Sequence, residues 1–185
     1  MSAAPSTVGV SLSNSAAAVL GMVALGARSG YEVRRAAELS LRFFWALGPP
    51  QIYAELSRLE KAGLVAGQDD SQGRRPRRSY RATSLGRAAL REWATSRQPA
   101  PLELRDVLLL QLFFADVADS SDVTAVLERM RERSVQALAT FEERIMPAAA
   151  RTEQRGFRQP QVVAEFGVAL HRFIVSWCAE RLGDE

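Results

Sequence analysis

Five arginines fall within eight residues of this chain, Arg74-Arg75-Pro76-Arg77-Arg78-Ser79-Tyr80-Arg81. Like charges this close repel unless water or an anion meets them, so the segment belongs on a surface. Upstream, Leu64-Val65-Ala66-Gly67-Gln68-Asp69-Asp70 opens apolar and fades into turn formers, and Ser71-Gln72-Gly73 supplies a flexible tip. Downstream, Tyr80 and Ala82 alternate with Ser79 and Arg81. Two short strands joined by a basic, glycine-containing loop predict a β-hairpin. Alternation then turns Tyr80 and Ala82 toward a core, and Arg77, Ser79 and Arg81 toward solvent. A merely solvated charged loop is the plainer reading of the same residues.

The rest of the chain gives this hairpin a setting. With 185 residues and 47% apolar content, there is enough material for one large domain or two small ones, and disorder as the main state is excluded. The net charge of +3 conceals a division: residues 1 to 97 hold fourteen basic and seven acidic side chains, a balance of +7, and residues 98 to 185 hold ten and fourteen, a balance of −4. The N-terminal half is therefore the one suited to a polyanion. The apolar stretches Ala16 to Ala27 and Val107 to Val117 fall short of the roughly 20 residues of a membrane span, so no membrane is expected. The opening Met1-Ser2-Ala3-Ala4-Pro5-Ser6-Thr7 lacks a positive n-region, which points to a cytoplasmic protein. A single cysteine, Cys178, and a single histidine, His171, leave little for a disulfide, metal or catalytic triad.

Helices flank the hairpin. Ser15 to Ala27 is apolar and alanine-rich, as a buried helix is. Ser29-Gly30-Tyr31-Glu32 is a capping box opening a helix to about Leu39. Pro50 near its start and Gly63 after its end bound a third helix, with Ile52, Leu56 and Leu59 on one face. Its opposite side carries Gln51, Ala54, Ser57, Arg58 and Lys61, small and polar with two cations, a surface able to approach a base-pair edge and to hold phosphates. Thr83 caps a helix through Leu85, Ala88, Ala89 and Trp93. Three helices, a hairpin and a helix follow one another in the order of a winged helix-turn-helix. The cluster Phe43-Phe44-Trp45 is placed to brace the approach to the third helix.

The second half is different in kind. Leu104 to Ala115 is too densely apolar for a helix with one face in water. A long helix from Val123 carries Val123, Leu127, Met130, Ser134, Ala137 or Leu138, Phe141 and Ile145 at spacings of three and four, a coiled-coil-like seam that Pro147 is expected to stop. A last helix from about Pro160 to Leu182 presents Val162, Val163, Phe166, Leu170, Phe173, Ile174 and Trp177. Such helices offer more apolar surface than a small domain easily covers. They either fold on one another within the chain or join two chains. His171 is read as a core-edge or interface residue, and Cys178, beside Trp177, as buried and inert.

Several runs of residues together resemble the PadR family of transcriptional regulators. These are Gln51-Ile52-Tyr53, Leu56, Leu59-Glu60, Gly63-Leu64-Val65, Gly73 to Thr83, Gly86-Arg87-Ala88-Ala89-Leu90 and Leu104 to Phe114. Two departures appear: Ala54-Glu55 stands where the family usually has a proline after the tyrosine, and Ala82 replaces a usual leucine before the threonine. The resemblance implies a mainly α fold: a flexible arm over residues 1–14, an N-terminal winged helix-turn-helix domain with a two-stranded β wing over 15–97, and an all-helical C-terminal dimerisation domain over 98–185. Carried over by position, Gln51, Tyr53, Ala54, Ser57 and Arg58 would face double-stranded DNA from the recognition helix, and Arg74, Arg75, Arg77 and Arg78 from the wing. Tyr53 has an alternative role, extending the buried face beside Ile52.

The dimer surface expected from the resemblance uses Leu109, Phe113, Met130, Phe141, Phe166, Leu170, Phe173 and Trp177. Two copies would read an inverted-repeat operator, as a repressor blocking polymerase. Release by a small aromatic effector points to Phe173 and Trp177, although the same stripe serves equally as core. No glycine-rich phosphate loop, cysteine pair, HExxH or serine elbow is found, so neither an enzyme nor a cofactor or metal site is expected. The competing function from another class is a winged-helix adaptor that binds protein or RNA instead of duplex DNA.

Overall fold

The computed structural model describes residues 11–70, 77–96, 102–117 and 120–183. Of the arm expected over residues 1–14, residues 1–10 lie outside them, as do the wing-tip arginines Arg74 and Arg75, while Leu12 packs on the core, Ser13 caps the first helix and Asn14 begins it; Arg77 is described by its backbone alone. The chain divides near Gln98 into two compact units.

The first unit is built from α1 (Asn14–Ala24), α2 (Gly30–Glu38), α3 (Pro49–Lys61), β1 (Val65–Asp70), β2 (Arg77–Ala82) and α4 (Ser84–Ala94). Each helix begins where its sequence offers a start signal. Ser13 caps α1 by accepting from the Ala16 amide at 3.1 Å. Ser29 caps α2 by accepting from the Glu32 amide at 3.2 Å, and Glu32 reaches back to the Arg28 amide, one residue before the expected capping-box partner. Pro50 lies in the first turn of α3, and Thr83 caps α4. α1 ends three residues before the expected Ala27, because Gly26 turns into the left-handed region at φ 111°.

The core of this unit joins Val19, Leu20 and Val23 of α1 to Val33 of α2, Ile52, Leu56 and Leu59 of α3, Leu64 and Val65 before and in β1, Ala82 of β2 and Ala89 of α4. The predicted apolar face of α3 is thus the one the core uses. Leu41 and Leu47 pack against this core, whereas Phe43, Phe44 and Trp45 between them remain largely exposed. The expected brace is formed by the leucines of that segment, and the aromatics stay on the surface.

The second unit is all helical: α5 (Val107–Phe113), a 3-10 turn (Ala115–Val117), α6 (Ser120–Thr140), a π-helical turn (Phe141–Ile145), α7 (Met146–Glu153) and α8 (Gln159–Leu182). Pro147 does not end the seam helix as expected. The π turn lets the Met146 amide donate to the Phe141 carbonyl, and Pro147 then falls in the first turn of α7, where its missing N–H is tolerated. Val126, Leu127 and Met130 of α6 form a core with Cys178 of α8, against which Leu108, Leu109, Leu112, Ile174 and Trp177 pack. Two residues expected at the dimer surface, Met130 and Phe141, are buried inside this unit, Phe141 lying against Gly167 of α8. Periodicity identifies a seam but not whether its partner belongs to the same chain.

Candidate nucleic-acid interface

The exposed side of α3 is fixed by its buried side. Ile52, Leu56 and Leu59 are sealed in the core, so the positions between them turn outward. Gln51, Tyr53, Ala54, Ser57, Arg58 and Lys61 are all exposed, and they form one continuous polar face along the helix. Gln51 is steadied at the start of the face, where its amide donates to the Ser15 hydroxyl at 2.8 Å. Arg58 pairs with Glu55 at 3.0 Å; Glu55 is almost wholly buried while the guanidinium is 72% exposed, so a shielded carboxylate props an outward-facing cation. Tyr53 divides its role: it is 54% exposed, yet its ring lies across Gly30 at the start of α2, where a Cβ would overlap it. The aromatic body packs between two helices on the outside of the fold, and the buried face beside Ile52 is complete without it.

The wing is an antiparallel pair with Val65 opposite Ala82, Gly67 opposite Tyr80, Asp69 opposite Arg78 and Asp70 opposite Arg77. The expected alternation is seen at Ala82, which is buried, Tyr80, which packs half-buried on the core, and Arg81, which is exposed; Ser79, expected outward, is half-buried as well, and the Arg77 side chain lies outside the described residues. Burial raises the Tyr80 phenol above its ordinary range, with the neighbouring Glu60 carboxylate adding to the shift. The Tyr80 amide donates to the Arg28 carbonyl at 2.7 Å, which ties the wing to the approach of α2.

Arg78 shares the inward side of β2 with Tyr80 and Ala82. Its Nη2 donates to Glu60 Oε1 at 2.5 Å, its Nε to Glu60 Oε2 at 3.1 Å and its Nη1 to Asp69 Oδ1 at 2.5 Å. The fork holds the Glu60 carboxyl below its ordinary range, and the same pairing drives the Arg78 guanidinium upward. Gly67 makes room for it, because a Cβ there would overlap the Glu60 carboxylate and crowd the Arg78 Nε. The family resemblance placed Arg78 among the wing residues that face DNA, and the sequence reading gave Glu60, Asp69 and Gly67 no part in the site. Only the strand register reveals that these residues meet.

In the second unit, the surface stripes are apolar. Val107, Leu110, Phe113, Phe114 and Val117 around α5, and Val162, Val163, Phe166, Leu170 and Phe173 along α8, are exposed. Of the residues expected at a dimer surface, Phe113, Phe166, Leu170 and Phe173 are on the surface, while Leu109 and Trp177 are partly covered by their own unit. By length and composition, α8 is also apolar enough to cross a bilayer, a feature that the shorter stretches Ala16 to Ala27 and Val107 to Val117 do not share. The effector candidates are in different settings: Phe173 is exposed, whereas Trp177 packs on the core with the Arg181 guanidinium 5.4 Å from its ring centre. His171 lies 5.7 Å from the Phe141 ring, and burial lowers its pKa. Cys178 is fully buried, and burial raises its thiol pKa, so it does not form a ready thiolate. Among the described residues, no group of three or more His, Cys, Asp or Glu side chains gathers as metal ligands would.

Comparison with known proteins agrees with this architecture. Residues 19–92 match the model of the transcriptional regulator PadR-like family, and residues 104–183 match that of the virulence activator alpha C-terminal region. A negative transcriptional regulator PadR of Bacillus subtilis is 24% identical over 165 residues, covering 89% of this chain and 87% of its own. The crystal structure of Bacillus subtilis PadR in complex with operator DNA superposes with a TM-score of 0.75 at 20% identity, over 91% of this chain and 97% of that one. The same regulator in complex with p-coumaric acid gives 0.69 at 20% identity, over 90% and 95%. With family models matched on both sides of the Gln98 division and a winged helix-turn-helix followed by an all-helical unit, the chain carries a PadR-like transcriptional regulator domain over residues 19–92 and a virulence activator alpha C-terminal region over residues 104–183.

Proposed function

We propose that this regulator binds duplex DNA directly, as a homodimer on an inverted-repeat operator, and represses transcription there. The observation that carries the reading is the continuous exposed face of α3, Gln51, Tyr53, Ala54, Ser57 and Arg58, next to a wing whose sequence concentrates arginine. Short side chains such as Ser57 and Ala54 let a helix approach base edges closely, and Arg58, propped by Glu55, reaches outward to a base or a phosphate. Arg74, Arg75 and Arg77 supply sequence-independent attraction to the sugar-phosphate backbone. A DNA complex of the Bacillus subtilis relative supports this choice of partner.

Dimerisation is assigned to the apolar stripes of α5 and α8, through Phe113, Phe166, Leu170 and Phe173, with Leu109 and Trp177 at the margin. One winged unit touches a short half-site, and a twofold pair doubles both the touching surface and the selectivity. Release from DNA is assigned to a small aromatic effector, with Phe173 and Trp177 as the candidate binding residues; the p-coumaric acid complex of the relative supports a ligand of this kind. This reading places the protein in the cytoplasm.

The test is a gel shift of the purified chain with the DNA upstream of its own gene, at 50 and 200 mM salt. A dimer that neutralises on the order of 6 to 10 phosphates should lose roughly 10³ to 10⁵-fold in affinity across that range. No shift even at 50 mM salt would overturn the assignment. Replacing Ser57 or Arg58 should redistribute preference among operator variants, by about 1–3 kcal/mol per base read.

A further inference from the structure

We propose that Arg78 acts on DNA binding indirectly, as a positioning residue: with Glu60 it forms a clasp that fixes the wing against the recognition helix, and it does not itself touch a phosphate. The proposal rests on the DNA-binding reading above and refines which residues carry it. Arg78 lies on the side of β2 that Tyr80 and Ala82 turn toward the helices. Its three hydrogen bonds to Glu60 and Asp69 use all three guanidinium nitrogens. Glu60 lies at the C-terminal end of α3, one turn beyond Leu56 and beside the buried Leu59, so its backbone is fixed by the core. Asp69 is the cross-strand neighbour of Arg78 and holds the same guanidinium from the wing side. The glycine at position 67 is the steric condition for the arrangement, since any side chain there would overlap the carboxylate.

Two carboxylates on one guanidinium leave a locally negative balance, and a phosphate approaching Arg78 would meet Glu60 and Asp69 as well. The clasp therefore contributes geometry, while the attraction of the wing comes from its other arginines. A forked pair suits this role because it resists rotation about the strand axis, which a single hydrogen bond does not.

The two roles make opposite predictions for Glu60→Gln in the full-length protein. If charge alone mattered, removing an acid from a DNA-facing surface would tighten binding. If the clasp positions the wing, E60Q weakens binding roughly threefold to tenfold, Arg78→Ala does the same, and the double variant is no weaker than either single one. The plot of log affinity against log salt keeps its slope in R78A, whereas removing a cation that truly neutralises a phosphate would reduce it by about 0.9 per phosphate. Arg78→Lys retains the charge but cannot give Glu60 the two side-by-side donors of a guanidinium edge; the clasp predicts weakening close to that of R78A, and direct phosphate binding predicts near-normal affinity. Thermal melts of each variant verify folding, and R78K serves as the conservative case should R78A unfold. Tighter binding by E60Q, a reduced slope in R78A or normal binding by R78K each overturns the proposal while leaving DNA binding in place. Failure of the unmodified protein to bind any upstream DNA overturns both.

Discussion

Arg78 and Arg133 are each forked by carboxylates far away in sequence, Glu60 eighteen residues before the first and Asp106 twenty-seven before the second. Asp106 has two roles. It caps α5 by accepting from the Leu108 amide at 2.9 Å, and its two oxygens take Nη1 and Nη2 of Arg133 at 2.8 and 2.5 Å. The Arg133 guanidinium, helped by that amide, holds the Asp106 carboxyl below its ordinary range against the opposing effect of burial. A carboxyl lowered in the folded state stabilises that state fully above the ordinary aspartate range, and the contribution fades as pH falls through the lowered value. Asp106→Ala should cost about 1–3 kcal/mol at neutral pH, measured by urea denaturation, and the gap from the unmodified protein should close toward acid pH. Gly86 sets a different constraint: a Cβ there would overlap the carbonyl of Leu64, so α4 approaches the start of β1 as closely as backbone allows. Gly86→Ala should lower stability by about 1–3 kcal/mol through displacement of α4, visible as a fall in melting temperature.

Among the elements, α3 holds its outward face by inward anchors. Leu56→Ala should destabilise the first unit by about 2–5 kcal/mol in chemical denaturation, because Leu56 is fully buried among α1, α2 and β1 residues. This face was legible in the sequence because Ile52, Leu56 and Leu59 repeat at helical spacing between a proline start and a glycine stop. The hairpin was equally legible, since Tyr80 and Ala82 alternate with polar neighbours. The partner of Arg78 was not, because the meeting with Glu60 depends on strand register and on the missing side chain of Gly67, neither of which leaves a local pattern. The burial of Met130 and Phe141 was hidden for a related reason: a three-four repeat describes a seam without saying which helix closes it. For the wing, replacing Arg74, Arg75 and Arg77 together should flatten the salt dependence of DNA binding by about 0.9 for each phosphate no longer neutralised. A salt titration of the triple variant against the parent checks this.

For the whole molecule, the division of charge matches a division of surface chemistry. The N-terminal unit turns a polar, arginine-bearing helix face outward, and the C-terminal unit turns out apolar stripes on α5 and α8. If those stripes join two chains, Phe166→Glu with Phe173→Glu should yield monomers in sedimentation velocity at micromolar concentration, and operator binding should fall by orders of magnitude because only one half-site can then be held at a time. The variant tests the proposed dimer without touching α3 or the wing. The wide turn at Phe141–Ile145 also has a consequence for the C-terminal unit. An α-helix advances about 100° per residue, so a segment that takes in one surplus residue hands everything after it to a new compass bearing. Deleting a single residue from that segment would swing Ala149 out of its buried site and bring its neighbours round in its place. The length of this short stretch therefore sets the aim of the whole following helix, independently of its composition.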